Sequence, residues 1–595
     1  MSKFYKYVIL LIGIFSASLS QAQEVITRVQ TNNFIEQLSR EYQRPSQKRG
    51  DTLNLPFFED FSRQEGYPNP TRWMNDYVFV NNGYGFHKVS QGVATFEGLN
   101  EKGVPYMPGA ENSKGPADTL TSAPLNMAFA EADSVYLSFF LQPDGGGESP
   151  ETTDSFVVQA KVNDTTWRSI WRARGGPLSQ FSPDSNFVQV LINLSNPKFL
   201  YNGFQFRFIN FGNLSGNTDH WHLDYIKLDT GRTANDTVLN DITIVNQPTK
   251  VLKDYTSMPV SDYSQDELEE RIFLGFRNSF VVPSFFSMTY DLKFEANGAP
   301  YSFQQTVEMP SNNEDTLLFF NLPKFDIDQT QETVGVKFKY AIQDRNDDFP
   351  QNDTLEYTQI FANYYSYDDG TAEYAYGLNT EGGKLAYKFT TRSPQQFEAI
   401  DMFFSRLLEN VSNELFTLTI WKDLNSEPIY EKKVQRPEYA GQNEFVRYEL
   451  DSVLTLNGEF YVGWEQRFSR LLNIGLDRNT NANESKLFYN VEGSWVQSSI
   501  PGSVMIRPVI AGPDFVSSDF EAFAEVNIYP NPTTGLITLS GGNFKKETLQ
   551  LVDLSGRSLP FEMQGNTLDL CNLPYGIYFL RQTGTPSWIK KVVKH

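Results

Sequence analysis

Val526-Asn527-Ile528-Tyr529-Pro530-Asn531-Pro532-Thr533-Thr534-Gly535 is the stretch from which the fold is read. Val526 to Tyr529 alternates apolar and polar residues, as a half-buried strand does. Pro530 and Pro532 remove two backbone donors around Asn531, which ends the ladder and forces a turn. Gly535 reopens an extended run, Leu536 to Leu539. Leu549 to Leu554 alternates again, and Ser555-Gly556-Arg557 supplies a hairpin turn. Pro574-Tyr575-Gly576 precedes Ile577 to Arg581, and Trp588 to Val593 closes the run. These short runs between turn residues predict a small antiparallel sandwich. The same texture extends toward the N-terminus. The chain holds 48 Phe, 30 Tyr, 40 Gly and 31 Pro, with few helical periods, which predicts an all-β chain of tandem β-sandwiches. Cys571 is the single cysteine, so stability must come from burial rather than an intrachain disulfide.

Three elements coincide in order at the C-terminal end: YPNPTTG over 529–535, LVDLSGR over 551–557, and LPYGIYFLR over 573–581, followed by Lys590, Lys591 and Lys594. Composition alone would also allow a plain Ig-like module. Together the three elements resemble the type A C-terminal sorting domain of the type IX secretion system, over residues 526–595, with a linker at 513–525. The resemblance implies Tyr529, Pro530, Asn531, Pro532, Gly535, Gly556 and Gly576 as the sorting motif. It further implies the outer-membrane translocon and its sortase as partners, after folding in the periplasm. Cleavage of the module and attachment to a surface lipopolysaccharide are implied in the same way.

The other end predicts the same itinerary. Lys3 and Lys6 precede an apolar run, Val8 to Phe15, and Ser20-Gln21-Ala22 offers small residues to a signal peptidase. The run is too short to span a bilayer of roughly 30 Å as a helix. Residues 1–22 therefore read as a signal peptide, with cleavage between Ala22 and Gln23 and no transmembrane span in the mature chain. A secreted or outer-surface location follows. The net charge of −22 argues against nucleic acid as a partner and suits calcium.

The 595 residues exceed what one core holds, and the body divides by pattern. Residues 23–50 read as a polar tether, whose Arg49-Gly50-Asp51 matches a short adhesion tripeptide that occurs often by chance. Residues 51–230 form a first module, opened by Pro56-Phe57-Phe58-Glu59-Asp60-Phe61 and closed by His220-Trp221-His222-Leu223-Asp224-Tyr225-Ile226-Lys227-Leu228. The strand pattern and end motifs resemble jelly rolls of the MAM or carbohydrate-binding-module kind, in which first and last strands pair. Gln91 to Leu99 also resembles a segment of surface proteins that carry the same sorting label. Residues 231–362 read as an Ig- or fibronectin-like spacer, with a helical turn over Asp262 to Arg271. Residues 363–512 read as a second sandwich, with separate strands at Lys384–Thr390, Glu398–Phe404, Phe445–Leu450 and Glu459–Glu465.

His220, His222 and Asp224 at i, i+2 and i+4 emerge from one face of a strand, a geometry that suits zinc or iron. The following positions of that alternation, Ile226 and Leu228, are core-like, which favours an ordinary closing strand. The jelly-roll resemblance implies a structural calcium between the first and last strands instead, at Glu59 or Asp60 and Asp224; no other cofactor is expected. Tyr364, Tyr365, Tyr367, Tyr374 and Tyr376 surround the acidic turn Asp368-Asp369-Gly370. They could stack on sugars, although aromatics on alternate strand positions more often pack.

HExxH, GxSxG, a Walker loop with its lysine in register, and ExDxxE are all absent from the sequence. Carboxylates distant in sequence could still pair as in glycosidases. Asp followed by Thr or Ser and an aliphatic residue or Thr recurs at eight positions, where average composition gives roughly two or three. It resembles the O-glycosylation sequon of bacteria using this export route, with Thr52, Thr119, Ser134, Thr165, Thr237, Thr316, Thr354 and Ser452 as acceptors; strand-entry chemistry explains the pairs equally well. The favoured function is a non-catalytic surface binding or adhesion protein for glycan or protein. A secreted hydrolase or a purely structural surface protein are the alternatives.

Overall fold

The computed structural model describes residues 24–594 apart from 29–30, 42–51, 64, 111–112, 164, 178–180, 183–186, 281–283, 295–300, 310–314, 344–348, 350–351, 406–410, 440–444, 512–526, 532, 541–543, 554–557, 575 and 583–587. The signal segment with Ala22 and Gln23, the linker, Pro532 and Gly556 lie outside the described residues. Strands make up 49% of the chain and helix 5%, so the all-β reading holds. The chain forms two units, divided between Gly512 and Pro513.

Aromatic and branched residues on alternate positions build the first module as two facing sheets. One runs in the order Val188–Asn193, Tyr136–Pro143, Trp221–Asp229, Val93–Phe96, Phe79–Asn81. The other runs Lys114–Thr121, Phe206–Asn213, Ser155–Lys161, Trp167–Arg174. Trp73, Phe96, Phe139, Phe156, Phe208 and Trp221 fill the space between them. The opening strand Phe57–Glu59 pairs with the closing strand, Phe57 opposite Leu228 and Glu59 opposite Ile226.

The closing strand departs from the expected alternation. Tyr225 has φ of 48°, and pairing with Tyr136–Pro143 slips between Asp224 and Lys227, so one extra residue is inserted as a bulge. Trp221 and Leu223 face the core before it, and Ile226 and Leu228 face the same core after it. His220, His222 and Asp224 therefore do not share a face with Ile226 and Leu228. The bulge also divides the strand's outer edge, with Trp221 to Leu223 against Val93–Phe96 and Ile226 to Leu228 against Phe57–Glu59.

The spacer pairs a three-stranded sheet with a four-stranded one, but it shares its core with the region that follows. One cluster runs from Ile242 and Leu274 through Phe338 to Tyr365, Trp464 and Ile506. Asp262 makes the joint. It lies at the end of a single 3-10 turn, Val260–Asp262, followed by a second, Gln265–Glu267, where a helical turn was expected. Its carboxylate accepts from Arg392 N, Ser393 N, Ser393 Oγ, Gln395 Nε2 and the Tyr365 hydroxyl, at 2.7–3.2 Å. In the third region the four strands expected separately merge into two long ones, Lys384–Met402 and Val446–Gln466, paired along most of their length.

The N-terminal segment 24–41 is no tether. Glu24–Arg28 pairs antiparallel with Tyr374–Leu378, some 350 residues away, and completes a four-stranded sheet of the third region. Asn32 Oδ1 then accepts from Ile35 N at 3.1 Å and caps the helix Asn33–Glu41. That helix rests on the first module at Gly66, where a Cβ would lie 2.3 Å from Leu38.

The C-terminal unit is a sandwich of two four-stranded sheets around Ile537, Leu539, Leu551, Leu568, Leu580 and Val592. Asn531 clamps the last strand: its Nδ2 donates to Lys591 O at 2.6 Å and its Oδ1 accepts from Val593 N at 2.8 Å. Gly535 is required by closeness, since a Cβ there would lie 2.4 Å from Cys571 Sγ. Gly576 pairs with Lys594, while Tyr529 and Pro530 stand exposed.

Candidate functional site

The opening strand of the first module ends in an abrupt turn. Phe61 takes φ of 57°, and Gly92 must pass over it, because a Cβ at Gly92 would lie 2.2 Å from Phe61 O. This crossing sets Ser62, Arg63 and Gln91 along one wall of a cleft of about 570 Å³. Gln247, Lys339 and Glu356 of the spacer form the facing wall. The lining is polar and charged. Gln91 is buried to 8% exposure, and its Oε1 has no hydrogen-bond partner. The segment Gln91 to Leu99 thus supplies the wall and, beyond it, buried Glu97. Asn32 Nδ2 bridges both oxygens of Glu97 at 2.8 and 3.0 Å, and burial pushes its carboxyl up to about 8.

Behind the Phe61 turn lie the acids expected to hold calcium. Glu59 is turned away, accepting from Phe61 N and Trp73 Nε1, both at 3.2 Å, with Arg72 at 3.8 Å. Asp224 is fully buried and accepts from Ser90 N, Ser90 Oγ and Tyr225 N at 2.6–2.9 Å. Burial first, and then the charge of Asp60, push it up to about 7 despite those bonds. Asp60 Oδ1 accepts from Ser62 N and Oγ, while its Oδ2 is buried with no partner. Both Asp224 oxygens are taken by protein donors and Glu59 is engaged elsewhere, so Asp60 Oδ2 is the one oxygen of the three acids left open to a hard cation.

His222 is locked between Thr95 Oγ1 at 3.0 Å and Asp144 O at 2.9 Å, and burial holds it down to about 4. His220 Nδ1 accepts from Glu148 N, and its ring stacks on Tyr84 at 5.5 Å. With both histidines engaged by the protein itself and Asp224 held by Ser90, the alternating triad is a structural closing strand.

The tyrosine cluster is mostly core. Tyr365, Tyr367 and Tyr376 are buried, with hydroxyls donated to Asp262, Lys388 O and Glu24 Oε1. Tyr364 and Tyr374 are half-buried under Arg507 and Arg478. The neighbouring acidic turn carries more chemistry than the rings. Asp368 is paired with Arg507. Asp369 and Glu373 line a second cavity, which shares Glu65, Asn81 and Asn82 with the cleft. Burial and the charge of Asp369 push Glu373 up to about 7. Asp477, behind them, is held well above the carboxylate range by burial and by both neighbours.

Among the described residues, one set of three acids has mutually close ligand atoms: Glu151, Asp154 and Asp219. Lys114 Nζ already sits there, 2.8 Å from Glu151 and 2.6 Å from Asp154. Of the hydroxyls read as glycosylation acceptors, Thr165, Thr237, Thr354 and Ser452 are exposed, while Thr52, Thr119, Ser134 and Thr316 are half-buried. Sequence reasoning missed Asn32, Asn217 and Asp262. An Asn ahead of Phe34, Ile35 and Leu38 is a helix-start signal that would have found the first; loop polar residues such as the other two carry no such signal.

Residues 527–595 match the family described as the secretion system C-terminal sorting domain. This tail marks the chain for export by the type IX secretion system, to the cell surface or the medium. No helix among the described residues is long and apolar enough to cross a membrane. No curated protein matches the chain in sequence. Among solved structures, a β-glucuronidase from Bacteroides uniformis is 9% identical over 44% of this chain and 28% of its own, with a TM-score of 0.19. A β-glucuronidase from Parabacteroides merdae is 13% identical over 46% and 31%, also at 0.19. The glycoside hydrolase domain of Endo-D from Streptococcus pneumoniae R6 is 9% identical over 53% and 47%, again at 0.19. The chain spans less than half the length of each, and at that TM-score the likeness says nothing of activity.

Proposed function

We propose that the exported body is a non-catalytic binding protein that takes a hydroxyl-rich ligand, a glycan, in the cleft between the first module and the spacer. The observation that carries this reading is Gln91 Oε1, a buried acceptor without a partner in the wall of a polar cleft. A cleft of a few hundred cubic ångströms suits a ligand, and buried acceptors are nearly always satisfied. A sugar hydroxyl would supply the missing donor, beside the Lys339–Glu356 ion pair of the facing wall. Asp60 and Asp224 would brace the wall around a structural calcium, Asp60 Oδ2 being the open ligand. The test is a glycan array probed with the full chain, beside Gln91→Ala and Gln247→Ala. Binding to one sugar class that both variants weaken at least tenfold supports the reading; a blank array abandons glycan for a protein ligand or a structural surface role.

A second reading, a hydrolase, is favoured by one observation. Glu373, raised to about 7, stands beside Asp369 in a cavity that shares Glu65, Asn81 and Asn82 with the cleft, as a proton donor beside a second carboxylate would. Turnover of aryl glycosides abolished by Glu373→Gln would establish it. Wild-type turnover in that variant, or none in the parent, would end it. The exposed acceptors Thr165, Thr237, Thr354 and Ser452 would carry any O-glycans, which intact mass of the exported chain would reveal.

A further inference from the structure

Where the first module meets the third region, a cavity of about 100 Å³ is lined by Tyr84 and Asn217 on one side and by Asp369, Thr371, Glu373 and Asn479 on the other. Asp369 and Glu373 are reached by the same two donors. Thr371 Oγ1 lies 2.7 Å from Asp369 Oδ1 and 3.0 Å from Glu373 Oε1. Asn479 Nδ2 lies 2.9 Å from Asp369 Oδ2 and 3.3 Å from Glu373 Oε1. Two carboxylates bridged by single small donors stand close together. Among the described residues no Lys or Arg side chain pairs with either one. Asp477 adds a third carboxyl group behind them, held in place by Asp369 N and Thr480.

An independent observation points the same way. Asn217, in the loop between Phe206–Asn213 and Trp221–Asp229, is buried to 7% exposure. Its side-chain Oδ1 has no hydrogen-bond partner. An amide oxygen left bare in the wall of a cavity that already holds two unpaired carboxylates lacks a positive partner.

We propose that this cavity binds a divalent cation of the calcium class, with Asp369, Glu373 and Asn217 Oδ1 as protein ligands and water completing the shell. Carboxylate and amide oxygens are the donors calcium takes, in a flexible shell of about six to eight. The space holds an ion and about three waters at roughly 30 Å³ each. No His or Cys lines it, as zinc would prefer. The ion would join Asn217 of the first module to the Asp369–Glu373 turn of the third region, across two surfaces that otherwise bring like charges together. It is separate from the Asp60–Asp224 pair and from the glycan reading.

The test is a calcium isotherm by titration calorimetry on the full chain at pH 7.5, after chelator treatment and dialysis. Asp369→Asn with Glu373→Gln removes one equivalent of bound calcium relative to the parent. Asn217→Ala, which leaves both carboxylates in place, weakens that same equivalent at least tenfold, and Asn217→Asp tightens it. The proposal is overturned by a parent that takes up no calcium at 1 mM, by a folded double variant with unchanged stoichiometry, or by Asn217→Ala with parental affinity. Should the double variant fail to fold, the two Asn217 variants decide.

Discussion

Two groups of carboxylates on the body of the chain look alike in composition and differ in what stands among them. Glu151, Asp154 and Asp219 lie at the edge of the first module with Lys114 in their midst, and hydrogen bonds to Asp154 and Lys114 hold Glu151 below its ordinary range. Asp369, Glu373 and Asp477 lie at the seam with the third region, bridged only by neutral donors, and all three are raised. The first group holds a cation of its own chain, although burial still raises Asp154 and Asp219, the latter to about 6, whereas the second holds none among the described residues. A concentration of acids is therefore uninformative until the countercharge has been sought.

Acidity gives the largest contrast. With chelator present, Glu97 at about 8 and Glu373, Asp118 and Asp224 at about 7 bind protons more tightly folded than unfolded. Their contribution is fully present below about pH 4 and lost as pH rises through 7 to 8. The melting temperature of the body should fall by about 5 °C or more between pH 5 and pH 8. Glu373→Gln should flatten that slope in part, and Glu151→Gln should not; the reverse order would dissolve the distinction between the two groups.

Calcium sharpens the contrast at fixed pH. With a dissociation constant near 10 μM, 1 mM calcium should stabilise the body by about 2.7 kcal/mol, read as a rise of about 2–4 °C in scanning calorimetry. The rise should vanish in the Asp369→Asn, Glu373→Gln pair and persist in Glu151→Gln.

Removing the internal cation should make the first group resemble the second. Lys114→Met leaves the buried Asp154 carboxylate unpaired, at a cost of about 1 kcal/mol, modest because Lys114 is two-fifths exposed. Added calcium should stabilise that variant by more than it stabilises the parent. The smallest effect belongs to Asn217→Ala in chelator, within about 0.5 kcal/mol of the parent, measured by urea denaturation.

The parts legible in the sequence were those whose meaning is local. The strands Leu536–Ser540, Leu549–Asp553, Gly576–Gln582 and Trp588–Lys594 lie within a residue of where alternation placed them. The opening and closing strands pair as their end motifs suggested. Alternation failed at Tyr225, because a bulge changes parity without changing composition. It failed also where Lys384–Thr390 and Glu398–Phe404 proved to be one strand, since a polar stretch that bends within a ladder reads as a turn. Segment 24–41 was misjudged because Glu24–Arg28 draws its stability from Tyr374–Leu378, and nothing within five residues reports a partner so distant.

By itself the sequence determined the class, the export address and the absence of familiar catalytic motifs, because composition, period and terminal motifs are properties of adjacent residues. Only the tertiary structure decided that Asn32 reaches Glu97, that the spacer and third region share one core, and that Asn217 lines one cavity with Asp369 and Glu373. Those juxtapositions join residues separated by 65 to more than 150 positions. What selects them is shape, burial and unbalanced charge at a seam that exists only after the modules have packed.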